Sequence, residues 1–467
     1  MEGLIVEIFK RNIPVDYSKY EKETEPFEAK YGLPEDVKFC KKCLISNQRP
    51  NSEVEHTHNI QTNKKTVAFN DEGVCDACRY AEKKREDIDW DERERELSAL
   101  CDRFRRNDGE YDCLVPGSGG KDSHYAAYLF KYKYKMNPLL MTFSPHSYTP
   151  WGWDNLQAWI NGGGSHVMYT PMGRVYRLLT RISVETLFHP VQPFIFGLKN
   201  MAPKAAITYK LPLVIYGENE AEYGNPIDEN RISLRDARYY SFEDKSKTYI
   251  AGVPISELND YFGLSDADLK IFLPPRPAEL EKNKIQVHQL GYYLKWHPQR
   301  SYYYATEEGG FKPSPERSAG THTKYSCIDD KMDDFHYYSY YIKFGMGRET
   351  HDASQEIRSG DITREEGLAL VKRYDGEFPE RFSEDLFKYM SIEPKEYPVA
   401  SKMFEQPTMD KDYFLHLAER FRSPHIWKYK NGEWELRHKV TDGMHSTADG
   451  HEEEAKVWQG NVYKPFK

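Results

Sequence analysis

The segment Pro116-Gly-Ser-Gly-Gly-Lys-Asp-Ser123 constrains this chain more than any other. An apolar run, Tyr111-Asp-Cys-Leu-Val-Pro116, reads as a strand before it, and Ser123 onward (SHYAAYLFKYKYK) reads as a helix after it. A strand, a turn of small residues and a helix build an anion cradle. Gly117, Gly119 and Gly120 let the backbone curl closely around the anion, and the N–H groups at the helix start point at it. Ser118 and Ser123 add hydroxyl donors. Lys121 either adds a point charge or faces solvent. Asp122 is placed to anchor magnesium beside phosphates. The spacing is not GxxxxGK[ST], so transfer of a terminal phosphoryl group is not the first expectation. The competing reading is an ordinary glycine-serine turn ahead of a helix.

Downstream the pattern alternates. Leu139 to Phe143 reads as a second strand, Trp151 to Ile160 as a helix, His166 to Tyr169 as a third strand and Leu211 to Tyr216 as a fourth. This predicts an α/β fold, a parallel sheet with helices on both faces. Gly217-Glu-Asn-Glu-Ala-Glu-Tyr-Gly224 follows the fourth strand, and open α/β sheets bind ligands at the C-terminal ends of their strands. Gly217 therefore joins the nucleotide-binding set. Glu218 and Glu222, four apart, are candidates to hold magnesium or to position an ammonia nucleophile; the alternative is carboxylates on a surface loop.

Two cysteine pairs, Cys40-x-x-Cys43 and Cys75-x-x-Cys78, form a four-thiolate zinc signature. The 31 residues between the pairs are more than a zinc ribbon usually has, and His56 and His58 within them are alternative ligands. Four thiolates leave no open position, so such a metal folds the N-terminal unit rather than performing chemistry. The rival is an iron–sulfur cluster. Of the other cysteines, Cys101 and Cys113 read as small buried hydrophobes, as does Cys327, which is also the one candidate nucleophile.

Composition narrows the partners. The net charge of −9 shows no basic footprint for nucleic acid. No run approaches the ~18 apolar residues of a membrane span, and Glu2 and Glu7 speak against a secretory signal, so a cytoplasmic enzyme is expected. Aromatics reach 14% with 35 tyrosines, and Tyr292 to Tyr304 is a candidate sugar-site lining or a core segment. The expected organisation is an N-terminal extension with the cysteine unit and a charged helix over 81–107 (residues 1–108), a nucleotide domain with an insertion (109–328), a mainly helical region completing the site (329–435) and a polar tail (436–467). Residues 225–275 read as mixed, and 286–310 as loop-rich.

The SGGxDS form resembles the PP-loop ATP pyrophosphatases. Together with the cysteine pairs, YGENEAEYG, Tyr325-Ser-Cys-Ile-Asp-Asp-Lys-Met-Asp-Asp334, Tyr341-Ile-Lys-Phe-Gly-Met-Gly-Arg348, Thr350-His-Asp-Ala-Ser354 and Tyr374-Asp-Gly376, it makes residues 39–435 similar to the N-acetyl sugar amidotransferases of bacterial lipopolysaccharide O-antigen and nonulosonic (pseudaminic or legionaminic) acid pathways. The resemblance implies ATP and magnesium as cofactors beside structural zinc. It also implies adenylation of an acetamido oxygen and displacement of AMP by ammonia. Lys343 and Arg348 become candidate phosphate contacts, unless they pair with Asp329, Asp330, Asp333 and Asp334; Asp329 and Asp330 can instead bind substrate or metal. No glutaminase motif is present, so a glutaminase partner or free ammonia is expected. The competing functions are a tRNA-thiolating PP-loop enzyme and a non-catalytic zinc-containing binding protein.

Overall fold

The structure, a computed structural model, describes residues 14–442 apart from the side chains of Glu229 and Asn230. Its centre is strand β1, Cys113–Pro116, buried along its whole length. β2 (Pro138–Phe143), β3 (His166–Tyr169), β4 (Leu213–Tyr216) and β7 (Gln286–Gln289) complete a sheet of order β3-β2-β1-β4-β7, parallel throughout. Alternate residues of a strand face opposite sides of a sheet. Leu114, Met141 and Val214 accordingly join one core with helices Gly173–Leu187 and Gln192–Tyr209. Val115, Leu140 and Ile215 join a second core with Leu97, Ala126 and Trp159 on the other face. Helices on both faces explain why the central strands read as unbroken apolar runs.

The expected α/β class is present; several boundaries differ. The charged stretch 81–107 forms two helices, Asp76–Glu86 and Trp90–Phe104. Asp89 breaks it, accepting from the Glu92 N–H as the cap of the second helix. Residues 286–310 are not loop-rich. They hold β7 and helices Leu290–Tyr293 and Pro298–Gly309. β7 is a short edge strand with glutamine at both ends, which hides it from a hydropathy pattern. The two long helices of 173–209 fill an interval that motif reading leaves unassigned. Within 225–275 lies a two-residue hairpin, β5 (Tyr249–Ile250) and β6 (Val253–Pro254).

The expected polar tail, from residue 436, starts at the end of a hairpin. β8 (Trp427–Lys430) and β9 (Glu433–Leu436) pair antiparallel across Asn431-Gly432, both at positive φ, as an Asn-Gly hairpin requires. The hairpin packs on the N-terminal extension, with Tyr17 and Tyr429 ring centroids 4.6 Å apart and Tyr20 edge-on to Trp434 at 4.8 Å. The remainder of the expected tail, 443–467, and residues 1–13 lie outside the described residues. No described helix is long and apolar enough to cross a membrane.

Candidate nucleotide cleft and thiolate centre

The turn 117–120 stands at the C-terminal end of the central strand. The Gly117 N–H donates to the Met141 carbonyl at 2.9 Å, and Thr142 Oγ1 donates to the Gly117 carbonyl at 2.6 Å, so β2 fixes the start of the turn. Gly119 lies at φ +92, and a Cβ there would sit 2.6 Å from Leu156 Cα; only glycine fits. Helix Lys121–Tyr128 begins at Gly120 with no side-chain cap, which leaves its first-turn donors available to an anion. Ser123 Oγ is spent within the turn, donating to the Gly120 carbonyl at 2.9 Å.

Four charged groups from three parts of the chain converge on this turn. Lys121 Nζ pairs with Asp122 Oδ2 at 2.5 Å, and Asp122 Oδ1 accepts from Trp296 Nε1 at 2.9 Å. Ser118 Oγ donates to Asp329 Oδ2. Gly217, at the end of β4, comes so close that a Cβ would lie 3.0 Å from the Asp122 carbonyl oxygen, which brings Glu218 into the cleft. Desolvation by the cleft walls, then the Asp122 charge, raises Glu218 to about 7, with Lys121 opposing. Burial likewise raises Asp329 to about 6, against the Ser118 hydrogen bond. Burial alone would lower Lys121; Asp122 and Glu218 outweigh it and hold the ammonium form. Tyr223 hydrogen-bonds to Glu218 and is itself pushed up by burial.

The other sequence candidates are not brought to the turn. Glu222 faces away, buried in an ion pair with Lys84 at 2.5 Å. Lys343 donates to the Leu187 carbonyl at 2.7 Å and lines a separate cavity of about 230 Å³ shared with Lys64 and Lys199, where burial lowers its pKa well below normal. Arg348 is fully buried. It donates to Asp334 at 2.9 Å and to the carbonyls of Ser326 at 2.5 Å and Cys327 at 3.0 Å. It therefore shapes the floor of the cleft, holding Cys327 in a left-handed conformation at φ +45 that costs a non-glycine residue ~1–3 kcal/mol. Asp330 accepts from His146 Nδ1 at 2.7 Å and is likewise a structural anchor.

Cys327 is open to the cleft rather than a buried hydrophobe, with Sγ 3.4 Å from Tyr337 Oη. Desolvation, then Asp333, raises its thiol to about 12, the opposite direction from the one that activates a cysteine nucleophile. Cys101 and Cys113 are buried as expected. Trp296 holds Asp122 but was legible only as one ring of an aromatic segment.

The Sγ atoms of Cys40, Cys43, Cys75 and Cys78 all lie within 4.8 Å of one another, the one such cluster of metal-ligating groups among the described residues. Cys40 and Cys78 are 3.8 Å apart, Cys43 and Cys75 3.6 Å. His56 and His58 take no part. His58 lies against Lys64 at 2.7 Å and Glu55 at 3.5 Å, and His56 packs on Phe242. The thiolate unit grips the 217–225 segment. Tyr80 Oη accepts from Asn219 Nδ2 at 3.0 Å, Lys84 holds Glu222, and the Ser52 N–H donates to Asn225 Oδ1 at 3.0 Å.

Residues 319–441 match the family model described as LPS biosynthesis protein WbpG-like, C-terminal domain. Among solved structures a similar chain is the U34-tRNA thiolase NcsA from Methanococcus maripaludis with its 4Fe-4S cluster. It is 14% identical over 72% of this chain and 89% of that one, with a TM-score of 0.27, too loose a superposition to carry an argument. No curated protein matches the sequence. The stretch 319–441 is thus similar to the C-terminal domain of WbpG-like lipopolysaccharide biosynthesis proteins, and joined here to a parallel sheet bearing the SGGKDS turn it supports the resemblance to PP-loop amidotransferases.

Proposed function

We propose that this chain is an ATP-dependent, AMP-forming amidotransferase that converts the N-acetyl group of a bacterial sugar to an acetamidino group. The observation that carries the reading is one contact. Asp329, inside the WbpG-like stretch, accepts a hydrogen bond from Ser118 of the phosphate turn, so the two halves close a single cleft.

An amide carbonyl is a poor electrophile and its oxygen a poor leaving group. In the proposed reaction the acetamido oxygen attacks the α-phosphorus of ATP and pyrophosphate departs. Ammonia then adds to the imidate carbon, and the C–O bond breaks to release AMP carrying the former acetamido oxygen. The turn N–H groups, Ser118 and Lys121 hold the phosphates. Asp122 and Asp329 are the carboxylates at the turn that would share a magnesium ion with the bound phosphates; with Glu218 they are not drawn together closely enough to hold an ion by themselves. When bound, magnesium neutralises charge developing on the phosphates. Glu218, held beside Asp122 and Tyr223 at the mouth of the turn, is the carboxylate left to take the proton the ammonia nitrogen loses.

The thiolate centre suits structural zinc. Zinc–sulfur arms of about 2.3 Å give tetrahedral edges of about 3.8 Å, close to the 3.6 and 3.8 Å separations here. An iron–sulfur cluster, with several iron atoms between its sulfurs, needs a wider cage. Ammonia comes from a separate glutaminase or from solution, and the reaction belongs in the cytoplasm, where ATP is available.

The test is mass spectrometry of N-acetyl sugars incubated with the protein, ATP, magnesium and ammonium. The expected product has oxygen replaced by NH, and 18O placed in the acetamido group appears in AMP. Label found in phosphate or pyrophosphate, or no mass change with any sugar, overturns the reading.

A further inference from the structure

A second cationic recess lies beside the phosphate turn, and none of residues 117–123 lines it. Helix Asp76–Glu86 contributes Lys84 and Arg85, the segment before and into helix Pro298–Gly309 contributes Lys295 and Arg300, and helix Arg348–Ser359 contributes Arg358. Against these five cations stands one carboxylate in the wall, Glu222, which Lys84 occupies. Among the described residues Arg85, Lys295 and Arg300 form no ion pair, and the neighbouring Asp361 faces His297 at 3.5 Å. Arg358 is 8% exposed, and its buried Nη1 has no hydrogen-bond partner. The charge of Arg358 is offset on its inner side by the thiolates of Cys43, Cys78 and Cys75 and by Glu222, and Lys84 by Glu222, so the uncompensated charge is that of Arg85, Lys295 and Arg300, beside the open Nη1 of Arg358. Gathering three such cations around one recess costs free energy unless an anion offsets them.

We propose that this recess is a binding site for a phosphate-class oxyanion, distinct from the nucleotide turn. Two features favour phosphate over a single carboxylate. The excess of charge suits a dianion, and guanidinium groups match phosphate oxygens by paired hydrogen bonds. The volume, about 130 Å³, admits phosphate, pyrophosphate or a phosphate group entering on a sugar; it is well below the ~300 Å³ of a cleft for larger ligands. The recess and the turn share Trp296. Its carbonyl accepts from Lys84 at 2.8 Å, its indole N–H donates to Asp122, and the Lys84 and Lys121 ammonium groups lie 5.8 and 5.4 Å from its ring.

The experiment is calorimetric titration of phosphate, pyrophosphate and glucose 1-phosphate into the full chain and two variants. Lys295→Gln with Arg300→Gln removes two exposed rim charges without touching the core. Lys121→Met disables the turn instead, so that anion bound there is not counted. The site predicts about one anion per chain, an affinity lowered at least roughly ten-fold in the rim variant at unchanged melting temperature, and binding retained in Lys121→Met. Preference for the sugar phosphate identifies an organic phosphate and equal or better binding of the inorganic ions a free one; both support the site. Binding lost in Lys121→Met but kept in the rim variant overturns it, as does the absence of binding by any of the three anions. Uptake of an acidic peptide alone, without phosphate, likewise overturns it.

Discussion

Two adjacent glycines in the phosphate turn do different work. At Gly119 a side chain meets the Leu156 backbone at positive φ, so any substitution there reports on folding. At Gly120 φ is −69 and the nearest atom to an added Cβ is Asp329 Oδ2, at an ordinary 3.5 Å. Gly120→Ala is therefore expected to keep its melting temperature within a few degrees while ATP affinity falls about ten-fold or more, because the methyl occupies the anion's place. Equilibrium ATP binding beside thermal melting checks this. Glu218 makes a pH prediction. Its carboxyl is raised from 4.5 to about 7 in the folded chain, so between those values the folded state holds a proton the unfolded state has lost. Its contribution to stability is full below the unfolded value and is lost as pH rises through about 7. Glu218→Gln should raise the melting temperature near pH 8 and change it less near pH 5, as thermal scans across that range will show.

At the level of elements, the Lys84–Glu222 pair joins helix Asp76–Glu86 to the segment after β4, and both side chains are over nine-tenths buried. Removing either partner strands a buried charge. Lys84→Met or Glu222→Met alone should cost about 3–5 kcal/mol, whereas the two together should recover much of that loss. Urea unfolding of the four proteins closes the cycle. The same segment shows where sequence is informative. The turn, the buried strands β1, β2 and β4 and the cysteine spacing are set by local chemistry, and each was legible. Which carboxylate of GENEAEYG faces the nucleotide was not, because a 3-10 turn at Glu220–Tyr223 sends Glu222 to Lys84, 138 residues away in sequence. Lys343 misled for a similar reason. Its place in the motif with Arg348 suggests the nucleotide site, yet it lies in the last turn of helix Asp333–Phe344 and points into another cavity, onto the Leu187 carbonyl. β7 escaped notice because an edge strand of four residues needs its neighbour β4 to exist. The Asn-Gly hairpin at 431–432, by contrast, carried a signal that the polar composition around it masked.

Across the whole molecule, the thiolate centre shares one apolar cluster with Phe344, Met346, Ile426 and Trp427 of the C-terminal half. Structural zinc sites contribute roughly 10 kcal/mol or more to folding. With zinc in the thiolate centre, as proposed above, a chelator is expected to destabilise both ends of the chain together. Calorimetry should show one lowered transition rather than a separate early one, with about one zinc per chain lost by elemental analysis; an unchanged main transition would contradict the shared core. The N-terminal extension stacks on β8 and β9 through Tyr17 and Tyr20, so removing residues 14–32 should mimic part of that loss.

The grip of Tyr80, Lys84 and Ser52 on residues 217–225 has a mechanical corollary. The jaw that carries Glu218 is bolted to the sheet on one side and to the four-cysteine unit on the other, so it has little room to swing. The opposite jaw is as firmly set, since the Thr149 N–H donates to the Asp329 carbonyl at 2.9 Å and Thr149 Oγ1 to that of Ile328 at 2.6 Å, so the gap between Ser118 and Asp329 is fixed from both sides before any ligand arrives.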